Sequence, residues 1–489
     1  MPNSDTNDDH GIHVLSDDVL LMIFEALLQP LSSEAASPPP WRISFICSRW
    51  RNLVLSTPSL WTKVTFQPEI DEEDDDTVQT ETLEVQLARA GSCALDVMID
   101  FSWLDKKAPK ALDDQFRMLL ASMDRWHSLK LRNRLPQNWT LGSSGSSYSS
   151  SPVFPSLRKL SVDKDSWIKD GSLRNTPVLT DLTLVDIAIN PSDPLCWHNL
   201  QRLELTRCRG TAFDILTLLE CSAANLRVFK LFLFTSLPNP QDPGPMPVVE
   251  LPELREVYTT GSSLQWRPPT STLFTIATQL RLPRLELLHL KRVNRNDLRQ
   301  LHQLVSKFPP GSCLTKFVLE EAELKDEDTE DLIRALSEWY PLESFSFGNS
   351  NSATTSVTAG LLEALRWPGR GICPELRTLT LTSLELSSRS LEALVRSRTR
   401  DDEEDSPARL KLVKLQDIVL TEGGGNLQWL RTMGEQGTVE ISDSQLWYRR
   451  AAMGLSTTPA KALPLHHQWQ AAPPSRTSSI WSMLSALVF

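Results

Sequence analysis

One short unit recurs through most of this chain and limits what it can become: an apolar residue, two variable residues, an apolar residue, one variable residue, and a further apolar residue. It reads LRKLSV at 157, LTDLTL at 179, LQRLEL at 200, LRVFKL at 226, LELLHL at 285, LTKFVL at 314, LESFSF at 342 and LRTLTL at 376, with an imperfect LREVYT at 254. Successive starts lie 22, 21, 26, 28, 31, 29, 28 and 34 residues apart. WHSLKL at 126 opens the series and LVKLQD at 412 closes it. Alternation inside each unit predicts a short strand with one buried face, because successive side chains of a strand point to opposite sides. The 15 to 28 residues between units hold helical patterns such as AFDILTLLECSA and EDTEDLIRALSEW.

One strand and one helix in every 20 to 30 residues predicts an α/β leucine-rich-repeat solenoid, with parallel strands on its concave face and helices on its convex face. Proline often precedes the unit, as in FPSL, TPVL, LPEL, LPRL and CPEL. The uneven spacing says that the helical side varies from repeat to repeat. On the concave face the odd positions around each strand are expected to line up in columns about 5 Å apart. The columns read Lys159, Ser161 and Asp163, then Asp181, Thr183 and Val185, then Arg202, Glu204 and Thr206. The middle of the array differs, since VFKLFLF turns Lys230, Phe232 and Phe234 outward and the next two strands add Tyr258 and His289. Large aromatic residues on a wet surface tend to carry binding energy, so Phe232, Phe234, Tyr258 and His289 are the candidate binding residues of that face.

The N-terminal segment is read differently. LSDDVLLMIFEALL places Val19, Leu20, Ile23, Phe24, Leu27 and Leu28 at helical spacing, with Ser16 as cap and Asp17 and Asp18 at the positive end of the dipole. After a Pro/Ser-rich loop at 30 to 40, RISFICSRWRNLVL is read as one helical run carrying Ile43, Ile46, Cys47, Trp50, Leu53 and Val54 on one side. TPSLW is read as a third helix start, capped by Thr57 with Pro58 at its first position. QPEIDEEDDDT then reads as a solvated acidic linker, because its carboxylates repel one another. ALDVMIDF at 94 to 101 is a strand candidate, DDQFRMLLASMDRW at 113 to 126 an amphipathic helix, and GSSGSSYSSSP at 142 to 152 a low-complexity loop. The resulting division is a helical module at 12 to 62, an acidic linker and connecting region at 63 to 125, repeats at 126 to 420, and a weakly ordered tail at 421 to 489.

Known chemistry leaves little trace. A net charge of −11 speaks against affinity for nucleic acid or an anionic membrane and favours a basic partner. No run approaches the roughly 18 apolar residues that span a bilayer, and the apolar end SIWSMLSALVF at 479 to 489 is too short. The start MPNSDTNDDHGIHV lacks the basic and apolar regions of a secretory signal. The seven cysteines are scattered and never spaced CxxC, as expected for reduced thiols of a cytoplasmic or nuclear protein. The acidic runs EIDEEDDD and DDEED and the pair His466 and His467 are read as solvated surface rather than metal ligands. Phosphate-loop, dinucleotide, zinc-protease and nucleophile-elbow motifs are absent, so neither enzyme nor cofactor is expected.

HVLSDDVLLMIFEALL, a loop, then WRISFICSRWRNLVLSTPSLW resembles the F-box, a module of roughly 45 residues with the pattern LPxEILxxIF, a loop, and LxxVCrxWrxLaxxxxLW. Leu15, Val19, Leu20, Ile23 and Phe24 match its first half. Ile43, Ile46, Cys47, Arg49, Trp50, Leu53, Leu60 and Trp61 match its second. Ser16 stands where the family usually has Pro, and Asp18 where it has Glu. LARAGSCALDVMIDF and LLASMDRWHSLKL are similar to the segment after the box in fungal F-box-like proteins with irregular leucine-rich repeats. The resemblance implies that Leu15, Val19, Leu20, Ile23, Phe24, Ile43, Ile46, Cys47, Trp50, Leu53, Leu60 and Trp61 meet a Skp-type adaptor and, through it, a cullin. It also implies that the repeats hold a protein to be ubiquitylated. The alternative is a repeat scaffold without ligase recruitment.

Overall fold

From the unit at 157 to that at 376, each strand begins two residues after the leading apolar residue of its sequence unit. The computed structural model describes residues 15–28, 40–67, 76–101, 110–133, 154–164, 176–189, 197–237, 246–260, 276–293, 297–298, 301, 313–325, 328–339, 341–349, 355–367, 371–399, 409–421, 428–441 and 447–449. They form a mixed α/β protein built around parallel strands and fall into two compact units: residues 1–289 with 306–313, and residues 290–305 with 314–489.

The first unit opens with helices α1 (Asp17–Leu27), α2 (Trp41–Ser44) and α3 (Ser48–Ser56). A large parallel sheet follows: β1 (Lys63–Phe66), β2 (Leu95–Asp100), β3 (Trp126–Arg132), β4 (Lys159–Asp163), β5 (Asp181–Val185) and β6 (Arg202–Thr206), then the strands Val228–Phe232 and Glu256–Thr260 and the start of Leu287–Lys291. Spatial order equals chain order. Helices α4 (Asp76–Ala90) and α5 (Lys110–Leu120) carry the chain back between the first three strands and pack on each other. Helix Ala212–Ser222 does the same after β6, its start fixed by a capping box between Thr211 and Asp214. In the second unit Lys316–Ala322, Ser344–Asn349, Thr378–Thr382, Leu412–Gln416 and Val439–Ile441 also pair in parallel and in chain order.

The strands alternate because one side of the sheet is closed. In β5 the leading Leu179 and the pair Leu182 and Leu184 are buried, and Leu200, Leu203 and Leu205 repeat this one strand on. Each such leucine contributes about 1.5–3 kcal/mol by leaving water. The imperfect unit at 254 puts Thr259 where its neighbours carry an apolar residue, and Thr259 is nevertheless buried. A left-handed residue stands at the end of many strands: Asn133, Lys164, Asp186, Arg207, Leu233, Arg292, Ser383 and Asp417 all have φ between 51° and 87°. This turn aims the N–H of Lys164, Asp186, Arg207, Arg292 and Ser383 at a carbonyl of the following strand, 2.8–3.0 Å away. The hydrogen bonds offset the steric cost of a left-handed non-glycine residue.

Several sequence expectations are corrected. Residues 63–125, expected to connect, carry β1 and β2, which belong to the same sheet as the repeats; ALDVMIDF is the strand expected at 94 to 101, but Trp61 and Ala94 in place of the leading leucine kept both strands out of the series. Past residue 420, expected as a weakly ordered tail, helix Gln428–Glu435 and strands Val439–Ile441 and Trp447–Arg449 continue the pattern. The closing unit sits in the frame Leu410, Val413, Leu415 rather than at 412, since these are the buried residues. The single run at 42 to 55 is two helices, because Cys47 is extended and its sulfur accepts the N–H of Trp50, starting α3 anew. TPSLW is a 3-10 turn over Pro58–Trp61, and the Thr57 hydroxyl donates back to the Leu53 carbonyl instead of capping it. The low-complexity loop, the run DDEED, residues 69–75 of EIDEEDDD, His466, His467 and the end at 479 to 489 lie outside the described residues, whereas Asp76, the last residue of EIDEEDDD, belongs to α4.

Cys373 gives the second unit a pH signature. Burial pushes its thiol up to about 12 from the ordinary 9.0. Above the ordinary value the unfolded chain releases this proton while the folded chain keeps it, so stability falls as pH rises from 9 toward 12. In urea unfolding, the difference between wild type and Cys373→Ser is expected to change by up to about 1.4 kcal/mol per pH unit in that window and to stay flat below it.

Candidate functional site

The helical segment carries two sets of apolar side chains. Leu20, Phe24, Ile43, Trp50, Leu60 and Trp61 are buried. The Phe24 and Trp50 rings meet edge to face at 4.8 Å, and the Trp61 indole N–H donates to the Val54 carbonyl at 2.8 Å. The Arg49 guanidinium ties α3 to the start of α1, donating to Asp17 Oδ1 and the Leu15 carbonyl, each at 2.6 Å. Ser16 caps α1 by accepting the Val19 N–H at 3.5 Å. Leu15, Ile23, Cys47 and Leu53 are half-buried.

The second set faces solvent. Phe45 is 72% exposed, Met22 70%, Ile46 55% and Val19 41%, with Leu55 also exposed. Of the twelve residues expected to meet an adaptor, only Val19 and Ile46 belong to this outer set, while six are core. The break between α2 and α3 is the reason: it keeps Ile43 inside and turns Phe45 and Ile46 out. Phe45 and Met22 escaped the sequence reading, although Met22 lies one helical turn after Val19 and shares its face.

The segment is joined firmly to α4 and β1. The Arg89 guanidinium of α4 lies over the Trp61 ring at 5.1 Å, and Trp41 approaches the same ring at 6.4 Å. Gln86 donates to the Lys63 carbonyl at 2.8 Å, and the Lys63 ammonium donates to the Leu28 carbonyl at 3.2 Å.

The second candidate is the sheet face opposite the buried leucines in the first unit. Register places Ser161, Thr183, Glu204, Lys230 and Tyr258 in one row across neighbouring strands. Tyr258 and His289 meet edge to face at 5.5 Å. The Lys230 ammonium stands 5.0 Å over the Tyr258 ring and 3.6 Å from Glu204. The Tyr258 hydroxyl donates to Glu256 at 2.9 Å; burial and this bond both raise its pKa above the ordinary value. Phe232 is on this face, beside Thr206 in register. Phe234 is not: the left-handed turn at Leu233 ends the strand, and the Phe234 ring packs where a side chain on Gly210 would stand. The columns therefore bring together Phe232, Tyr258 and His289 and leave Phe234 aside.

Leu231 and Phe232 point to opposite sides, and only Leu231 is buried. Leu231→Ala is expected to cost about 2–5 kcal/mol, with Phe232→Ala costing well under half of that; thermal melting of the two variants checks this. Equal losses contradict the assignment of faces.

Among the described residues no group of three or more His, Cys, Asp or Glu is placed to hold a metal ion, and no helix is long and apolar enough to cross a membrane. No known family model matches the chain, and no curated protein matches it.

Proposed function

We propose that this chain is the substrate-recognition subunit of an SCF-type cullin-RING ubiquitin ligase: α1 to α3 act as an F-box that docks on a Skp-type adaptor, and leucine-rich repeats hold a protein substrate. The ligase chemistry belongs to the partners. The observation that carries this reading is the outer apolar set on a helical segment whose core is already closed. Phe45, Met22, Ile46 and Val19 keep much of their apolar surface outside that core, and exposed apolar groups of this size in one short segment mark a docking surface. The F-box pattern in the sequence agrees with the position of this surface in the chain.

The full-length chain is expected to bind a purified Skp-type adaptor, and a Met22→Glu, Phe45→Glu double variant to lose at least about a hundredfold in affinity, or about 2.7 kcal/mol, with an unchanged melting temperature. Calorimetry with the two purified proteins measures both. A folded wild-type chain that fails to bind leaves the second reading, a repeat scaffold without ligase recruitment. The clamp of Arg89 over Trp61 favours that reading, because it is what a helical cap closing the first edge of the sheet requires.

A further inference from the structure

We propose that Glu256 is a recognition carboxylate, which takes the ammonium or guanidinium of a lysine or arginine in the bound protein while an apolar neighbour of that residue rests on Tyr258 and His289. The proposal rests on the reading of this sheet face as the substrate surface and adds the chemistry of what it selects.

The charge pattern across the face carries it. Lys159, Asp181 and Arg202 stand side by side in register, so that the carboxylate of Asp181 has a cation on either hand. One strand further the alternation stops. Glu256 is flanked on one side by Val228 and on the other by Leu287, whose N–H donates to the Arg255 carbonyl as that of Glu256 donates to Arg227. Among the described residues the Glu256 carboxylate has no ion pair, and its side chain accepts one hydrogen bond, from the Tyr258 hydroxyl at 2.9 Å. Of the nearby cations, Lys230 is committed to Glu204 and the Tyr258 ring and Arg255 to Glu286 at 3.2 Å, while Arg202 stands two strands away, beyond Val228 and beside Asp181.

A carboxylate has two oxygens and about four acceptor sites, so most of the capacity of Glu256 is open. Aliphatic neighbours on both sides reduce its hydration and strengthen its attraction for a cation that arrives with a partner. They also suit the long alkyl stem of lysine or arginine, which prefers apolar surface while its head stays polar. Tyr258 and His289 beside this carboxylate then offer a floor for a second, apolar side chain. The chain's net charge of −11 draws basic partners toward it as a whole.

The test is selection from a displayed library of random short peptides on the full-length chain, followed by fluorescence anisotropy of the enriched sequences. Enrichment of peptides with Arg or Lys beside an aromatic or aliphatic residue is expected. Glu256→Gln should weaken them at least tenfold with unchanged melting, and Glu256→Lys should select acidic residues in their place. Enrichment without a basic residue, equal affinity for Glu256→Gln, or no enrichment at all overturns the proposal. Adaptor binding is measured on the same preparations. Loss of adaptor binding with basic selection intact overturns the ligase reading alone, and the reverse overturns the role of Glu256 alone.

Discussion

Alanine in place of Trp50 is expected to destabilise α1 to α3 by about 3–5 kcal/mol and to open the segment to hydrogen exchange. Trp50 is only 3% exposed and meets Phe24 at 4.8 Å, so the substitution removes both a large buried surface and an aromatic contact. Nothing beside it is able to fill the void, since Leu20 and Val54 are themselves fully buried. Trp50→Phe should retain most of the stability, because a ring remains against Phe24. Exchange of backbone amides, followed by mass spectrometry over residues 15–62, separates local opening from global loss. The contrast with the Met22→Glu, Phe45→Glu variant is the useful part. If the proposed docking holds, that variant should bind an adaptor at least about a hundredfold more weakly while exchanging like wild type, whereas Trp50→Ala should lose binding because it loses the fold. A Trp50→Ala protein with wild-type protection would mean that the core and the docking surface have been assigned the wrong way round.

Arg398→Met is expected to be the most damaging single change in the second unit, at about 3 kcal/mol or more. Arg398 is 3% exposed, near the end of helix Ser388–Thr399. Its guanidinium donates to the carbonyls of Leu365 (2.9 Å), Ile372 (2.7 Å), Cys373 (3.3 Å) and Pro374 (3.4 Å). Leu365 ends the preceding helix Thr355–Leu365, and Ile372 to Pro374 lead toward the next strand, so one side chain closes the turn between them. The site is built from carbonyl oxygens, and burial lowers the pKa of Arg398 from its ordinary value. Methionine fills much of the volume but withdraws the donor from these carbonyls in a buried place; among the described residues only that of Cys373 keeps another, the Leu376 N–H at 3.1 Å. Lysine keeps the charge yet lacks the planar fork that reaches several acceptors at once, so Arg398→Lys should recover only part of the loss. Urea unfolding of the three proteins measures the order, and a methionine variant as stable as wild type contradicts the account.

Strand positions were legible because the leading leucine and the following pair are buried for one physical reason, and the reason repeats. Leu157 foretells β4 and Leu376 foretells Thr378–Thr382 by the same two-residue offset. The pattern failed where the leading position is filled by something else: Trp61 before β1 is shared with the helical segment, Ala94 before β2 is small, and Gln436 before Val439–Ile441 is polar. The left-handed strand ends were legible only at Asn133, Asp186 and Asp417, whose side chains tolerate that conformation. Arg207, Leu233 and Arg292 give no such hint, and the missed turn at Leu233 misplaced Phe234. In the helical segment periodicity found the apolar residues but not their two destinations. A sulfur cap at Cys47 decided which of Ile43 and Ile46 went inside, and period alone carries no information about that.

In the first unit each strand of the large sheet after β1 pairs with the strand of that sheet before it in the chain, so each pairing closes a short loop and none waits for a distant segment. Folding in such an arrangement starts wherever one pair forms and spreads outward, with stability close to a sum of local units and their shared borders. Damage is correspondingly confined. A fault in one repeat frays its neighbours first, and a protease or a proofreading chaperone meets a partly unzipped chain rather than a wholly unfolded one.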